Sequence, residues 1–292
     1  MAKTGIRLLL LCVSAIFTIA LTGCNNGYPP LHNAVSWGDK KAVERLLSQG
    51  ADVNAKATII ISKLGNPRKA YEEIAPLHLA TGKGNKELVK FLISRGADVN
   101  ARATIIMSAY GRKLMREEIT TLHIAASKGY SDIIKALLAN GANVNAISAY
   151  QETPLFYAVA NNRREVARLL LANGADVNTK DRYGRTPLHL VIANFYYGKT
   201  TRKELTKFLI ANGADINARD NCNRTPLHYA CSFNKICGVW KNEKEDIVKI
   251  LIANGADVNT KNNYGQTPLA TAIRSRHEKS AKFLREHGAI AK

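Results

Sequence analysis

The chain has 292 residues, with 42 Lys and Arg against 23 Asp and Glu, a formal net charge of +19. A balance of that size ordinarily points to nucleic acid. The sequence holds no Gly-x-Ser-x-Gly elbow, no phosphate loop and no His-Glu-x-x-His, which removes the chemistries those motifs carry. No enzyme, no cofactor and no metal site is expected.

In chain order, Lys3 and Arg7 come first, followed by the apolar run Leu8 to Ala20 and then Leu21-Thr22-Gly23-Cys24. The run is about 13 residues, short of the roughly 20 that a membrane-spanning helix needs, and has the length of a signal-peptide core. The small residues before Cys24 resemble the lipobox of bacterial lipoproteins. The resemblance implies that residues 1–23 are a signal peptide that is removed. It also implies that Cys24 carries the lipid, and that the rest of the chain works outside the cytoplasm. The competing reading is an uncleaved N-terminal anchor. Asn25 follows the cysteine where Asp would retain a lipoprotein, which by analogy favours the outer membrane, facing the periplasm, over the inner one. Residues 24–29 form a short tether, reaching at most about 18 Å across its five spacer residues. Nucleic acid is then not an expected partner, and the +17 left after loss of Lys3 and Arg7 suits an acidic protein or anionic lipid. Dispersed lysines that merely keep the protein soluble are the alternative.

From residue 30 to the end one pattern recurs. Its opening reads Pro30-Leu31-His32, Pro76-Leu77-His78, Thr121-Leu122-His123, Pro154-Leu155-Phe156, Pro187-Leu188-His189, Pro226-Leu227-His228 and Pro268-Leu269-Ala270. Its close reads Gly50-Ala51-Asp52-Val53-Asn54, Gly96-Ala97-Asp98-Val99-Asn100, Gly141-Ala142-Asn143-Val144-Asn145, and again at Gly174, Gly213, Gly255 and Gly288. The glycine interval is 33 residues from 141 to 174 and from 255 to 288. Thr153, Thr186, Thr225 and Thr267 suit a helix N-cap, the following proline suits the first helical turn, and each motif glycine suits a helix end. The histidines and the Asp and Asn residues are expected to make structural hydrogen bonds at turns.

This pattern resembles the ankyrin repeat. The resemblance implies an all-α repeat solenoid, a stack of about seven helix-turn-helix units joined by β-hairpin fingers, over residues 30–292. The units are expected near 30–55, 75–101, 120–146, 153–179, 186–218, 225–260 and 267–290. Stacking is required because no unit can bury its own apolar face.

Two hairpin connections are elongated. Motif glycine to the next signature position is 13 residues in regular units, but 26 from Gly50 to Pro76 and 25 from Gly96 to Thr121. The insertions resemble each other: Ala57-Thr58-Ile59-Ile60-Ile61-Ser62 ending in Tyr71-Glu72-Glu73-Ile74, and Ala103-Thr104-Ile105-Ile106-Met107-Ser108 ending in Arg116-Glu117-Glu118-Ile119. β-branched runs around turn residues read as hairpin arms, extending roughly 20 Å at about 3.3 Å per residue. One face is expected to pack on the neighbouring finger and the other to take a partner. Ile59, Ile61, Tyr71, Ile105, Met107 and Tyr110 are the candidate contact residues there.

At the regular tips Tyr150, Tyr183, Cys222 and Tyr264 each lie five residues after the motif asparagine. The tyrosines are candidate hot spots; packing between tips is the alternative. Longer inter-helix segments carry Phe195, Tyr196 and Tyr197, and Phe233, Cys237 and Trp240. Cys231 and Cys237 either form a disulfide, as an oxidising compartment permits, or Cys231 is a buried thiol in a helix.

The expected function is that of a monomeric, membrane-anchored protein-binding module. Resemblance to bacterial ankyrin lipoproteins adds two narrower uses. One is immunity against a toxin that acts in the periplasm, such as a phospholipase delivered by type VI secretion. The other is a scaffold or chaperone for an envelope enzyme.

Overall fold

The Pro-Leu-His signature starts an inner helix, because proline at the first helical position needs no amide donor. The motif glycine ends the outer helix; Gly96, at φ +86°, adopts a left-handed turn that a side chain would strain. A computed structural model describes residues 29–63, 66–107, 115–194, 198–232, 235–236, 239–240 and 245–291. Cys24 and the segment before it lie outside the described residues.

The chain forms two compact units divided between Ala175 and Asp176. Among the described residues the first holds four helix pairs: α1 (Pro30–Trp37) with α2 (Lys40–Ser48), α3 (Pro76–Lys83) with α4 (Lys86–Ser94), α5 (Thr121–Lys128) with α6 (Ser131–Ala139), and α7 (Pro154–Ala160) with α8 (Arg164–Ala172). The described residues of the second form three: α9 (Pro187–Ala193) with α10 (Lys199–Ala211), α11 (Pro226–Cys231) with α12 (Glu245–Ala253), and α13 (Pro268–Arg274) with α14 (Glu278–Glu286). Within the first unit the inner helices α1, α3, α5 and α7 pack in order. Ala80, Ala125, Ala126 and Ala158 are fully buried, and their small side chains let these helices approach closely. Outer helices contribute Leu92, Leu137 and Leu170, each four residues before a motif glycine and each buried.

Two ladders of polar groups tie neighbouring repeats. The signature histidines donate from Nε2 to a carbonyl of the next repeat: His32 to Ile74, His78 to Ala101, His123 to Glu152, His189 to Arg224 and His228 to Gln266, at 2.8–3.1 Å. In the last four, Nδ1 accepts the amide at the helix N-cap, 3.2 Å away. An amide that must donate and a carbonyl that must accept together fix the neutral Nε2–H tautomer. This changes the expected capping role of threonine. Thr267 accepts from the Ala270 amide with its hydroxyl, whereas at Thr186 and Thr225 the histidine takes the N-cap amide and the hydroxyl turns to Nδ1.

The second ladder runs through the closing asparagines. Asn100 donates to the Gly141 carbonyl and accepts from the Asn143 amide, at 2.9 and 2.8 Å. Asn54 treats Gly96 and Asp98 in the same way, and Asn178, Asn217 and Asn259 repeat the pattern in the second unit. These residues therefore do more than shape their own turn.

The elongated hairpins are β1 (Ala57–Lys63) with β2 (Asn66–Ile74), and β3 (Arg102–Met107) with β4 (Met115–Thr120). They do not lie face to face. They join edge to edge in one antiparallel sheet of order β1-β2-β3-β4, with β2 paired to β3 from Lys69↔Met107 to Glu72↔Thr104. Backbone pairing satisfies the row of amides and carbonyls that an isolated finger would leave open. In the sixth repeat a two-residue hairpin, β5 (Lys235–Ile236) and β6 (Val239–Trp240), interrupts the inter-helix segment. Phe195, Tyr196, Tyr197, Phe233 and Cys237 lie outside the described residues.

Candidate partner-binding surface

Register brings most of the finger candidates together. Ile59 pairs with Tyr71, Tyr71 with Ile105, and Ile105 with Glu117, one row across all four strands. The next row is Ile61, Lys69, Met107 and Met115. The backbone register thus places Ile59, Ile61, Tyr71, Ile105 and Met107 in two rows two residues apart along the sheet. Tyr110 lies outside the described residues.

Ile105 itself is 2 % exposed, and its row neighbour Glu117 is also buried. Helix α7 reaches this end of the row: Tyr157 Oη donates to Glu117 Oε1 at 2.6 Å. Burial, then the nearby Glu117 and Glu152 carboxyls, push the Tyr157 phenol well above its ordinary range and keep it a donor. The expectation that Ile105 is a contact residue is thereby corrected. Being an internal strand, β3 also buries Ile106 on the opposite face, so Ile105 and Ile106 both support the sheet.

The other face carries ion pairs. Arg116 reaches Glu72 at 2.8 Å and Arg102 reaches Glu118 at 3.2 Å, Glu72 half-buried and the other three exposed to solvent. Such pairs contribute little stability, but they pair off acidic groups of the sheet.

The tyrosine tips divide. Tyr150 is 8 % exposed and packs inward, so it is not offered to a partner. Tyr183 is 38 % exposed, with the guanidinium groups of Arg182 and Arg185 each 4.8 Å from its ring centroid. Tyr264 is 74 % exposed. It rims a groove of about 500 Å³ whose walls include Arg224, Tyr229, Asn262, Thr271 and Arg274, between the hairpin tips and the inner helices of the second unit. Successive tips there are linked by backbone bonds from Asn221 to Tyr183 and from Asn263 to Cys222, both 3.0 Å.

Beside the groove, Asp220 is held by Arg224 at 2.7 Å and by the Tyr229 hydroxyl at 2.8 Å. Burial pushes the Asp220 carboxyl up, but the bonds from Arg224 and Tyr229 outweigh it and hold the group below its usual range. Arg274 has no acidic partner among the described residues, so the groove keeps positive charge.

Sequence reasoning missed exposed Trp37, Ile147 and Ile273. Trp37 had a signal: it stands at the helix end that Lys83 and Lys128 occupy in the next two repeats. Cys231 is fully buried in α11, and its suggested partner Cys237 lies outside the described residues. Among the described residues no helix is long and apolar enough to cross a membrane.

The family profile described as Ankyrin repeats (3 copies) matches residues 105–181, 122–220, 178–240 and 195–291, and that described as Ankyrin repeat matches 26–58 and 74–104. No curated protein matches the chain significantly. Ankyrin repeats are protein–protein interaction modules, typically non-catalytic. With matches covering nearly all of the sequence after residue 25, and with the helix pairs, hairpins and repeat-linking ladders described above, the chain belongs to the ankyrin-repeat family.

Proposed function

We propose that the protein is a lipid-anchored recognition module that holds a partner protein at the periplasmic side of a bacterial membrane, through the four-stranded sheet and the adjoining inner helices. The observation that carries this reading is the fusion of the two elongated hairpins. A regular repeat needs neither insertion to fold, yet both are present and joined in register. The lipobox-like Leu21-Thr22-Gly23-Cys24 supports the anchor, and the excess of basic residues supports an acidic partner. Neutralisation of a toxin that attacks the same membrane is the narrower form of this reading, favoured by a tether only five residues long.

The test is capture from detergent-solubilised envelope. Wild type is compared with a variant whose residues 57–73 and 103–118 are cut to regular hairpins, its fold verified by circular dichroism. One protein retained by wild type and lost with the fingers is the expected result. Equal capture by both chains would remove the sheet from the recognition surface.

A further inference from the structure

The short turns between inner and outer helices lie, by connectivity, at the opposite end of each helix pair from the hairpins. In the first unit this edge has its own chemistry. Trp37 ends α1, Lys83 ends α3 and Lys128 ends α5, each followed by a left-handed glycine. These three residues therefore occupy the same position in successive repeats. Neighbouring repeats pack at about 8–10 Å between helix axes, so the row runs roughly 20 Å.

Trp37 is 62 % exposed. Its indole N–H already donates to Asn33 Oδ1 at 3.0 Å, so the ring stands in water without needing it for a hydrogen bond. Lys40 and Lys41 begin α2 beside it, both exposed. Lys40 makes a long 3.8 Å pair with Glu44 and lies 5.5 Å from the Phe91 ring centroid, and Lys41 has no acidic partner among the described residues.

At the other end of the row Lys128 and Arg163 crowd together. Partial burial, then the Arg163 charge, push the Lys128 ammonium down. Arg163 is seated across the turn: its Nε donates to the Ser127 carbonyl at 3.2 Å, and a Cβ on Gly129 would come within 2.9 Å of its Cδ. Gly129 also sits at φ +85°, so the turn admits no other residue without strain. Of the acidic groups nearby, Asp39 accepts the Ala42 amide and Asp132 pairs with Lys86 at 2.9 Å, while Glu87 stands exposed in the first turn of α4.

We infer that this turn edge, from Trp37 through Lys83 to Lys128 and Arg163, docks on an anionic lipid surface, with the indole in the headgroup layer and the cations on lipid phosphates. An amphipathic ring flanked by cations is the side-chain set that membrane interfaces take up, and each cation near an anionic surface adds to the attraction. The inference rests on the proposed anchor at Cys24 for its geometry. Five residues reach at most about 18 Å, which keeps the first repeat at the membrane. Docking by this edge turns the sheet, at the far end of the helices, away from the bilayer and toward a partner.

The test uses the lipidated chain purified from envelope and reconstituted into phosphatidylcholine vesicles, with or without phosphatidylglycerol. Trp240→Phe leaves Trp37 as the only tryptophan. The expected result is a blue shift of Trp37 emission and quenching by brominated acyl chains in phosphatidylglycerol vesicles. Both should be lost in about 1 M salt, where screening acts within about 3 Å, and lost with Lys40→Glu and Lys41→Glu while the protein still floats with vesicles. Floating with unshifted Trp37 emission overturns the docking and leaves anchoring intact. A shift of equal size without phosphatidylglycerol overturns recognition of anionic headgroups. A Cys24→Ser chain added to the same vesicles separates the two readings. A shift there sustains the docking even if the anchor fails, and no shift from either chain overturns it.

Discussion

Tyr157 Oη and Glu117 Oε1 lie 2.6 Å apart, joining the inner helix of the fourth repeat to the last strand of the elongated sheet. Both groups are buried. Removing the donor leaves the carboxyl without this bond in a place where water cannot replace it. Tyr157→Phe should therefore destabilise the first unit by about 2 kcal/mol and loosen the sheet, while Glu117→Gln, which keeps an acceptor, should cost less. Urea unfolding combined with amide exchange of residues 102–107 and 115–120 checks this. Equal losses in the two variants would mean that the hydrogen bond does not hold the sheet.

Acid should destabilise the protein through its histidines. Burial lowers His78, His123 and His189 from 6.5 to about 4, outweighing the backbone bonds that raise them. Above pH 6.5 both folded and unfolded forms are neutral there, and no stability is lost. Below it the unfolded chain takes up protons that the folded chain refuses, so stability falls as pH falls from 6.5 toward 4. The slope is about 1.4 kcal/mol per pH unit for each histidine, reaching roughly 3 kcal/mol each. His123→Gln should flatten the pH dependence of thermal unfolding by about one proton. An unchanged slope would show that His123 is not excluded from protonation in the fold.

The asparagine ladder gives a prediction at a position that looks dispensable. Asn100 is exposed, yet it bonds both Gly141 and the Asn143 amide of the next repeat. Asn100→Ala should cost about 1–2 kcal/mol. Asn140→Ala, which removes one bond to a carbonyl in its own helix, should cost less. Chemical denaturation of the two variants side by side decides between a repeat-linking and a merely local role.

Asp220 is the buried member of the cluster beside the second unit's groove, and Arg224 is half-open to solvent. Asp220→Ala should destabilise by about 2 kcal/mol, less than a fully buried pair because water screens the guanidinium. Asp220→Asn should recover part of that loss, because the amide oxygen still accepts from Arg224 and Tyr229. Thermal melting of both variants tests the order.

Much of this was legible because the repeat is periodic. Prolines and glycines at fixed offsets report backbone needs that any single repeat expresses alone, and the signature histidines from His78 onward recur at one offset because each bonds its own N-cap amide and the next repeat. Both fingers were legible as hairpins for the same reason: β-branched arms and turn residues act locally. The union of β2 with β3 was not, since it depends on how far apart stacking sets two hairpins that are separate in sequence. Nor was the fate of Tyr150, Tyr183 and Tyr264 legible. They share one position in the repeat, but their burial is decided by neighbours, Arg182 and Arg185 at Tyr183 and an open groove at Tyr264. Ile105 was misplaced because alternation along a strand names a face without telling what lies over it.

The most direct measurement of the recognition claim is amide hydrogen exchange of the protein alone and saturated with its captured partner. The account predicts new protection concentrated in residues 57–74 and 102–120, with neighbouring inner helices following. Protection confined to the outer helices, with exchange in the sheet unchanged, would contradict it.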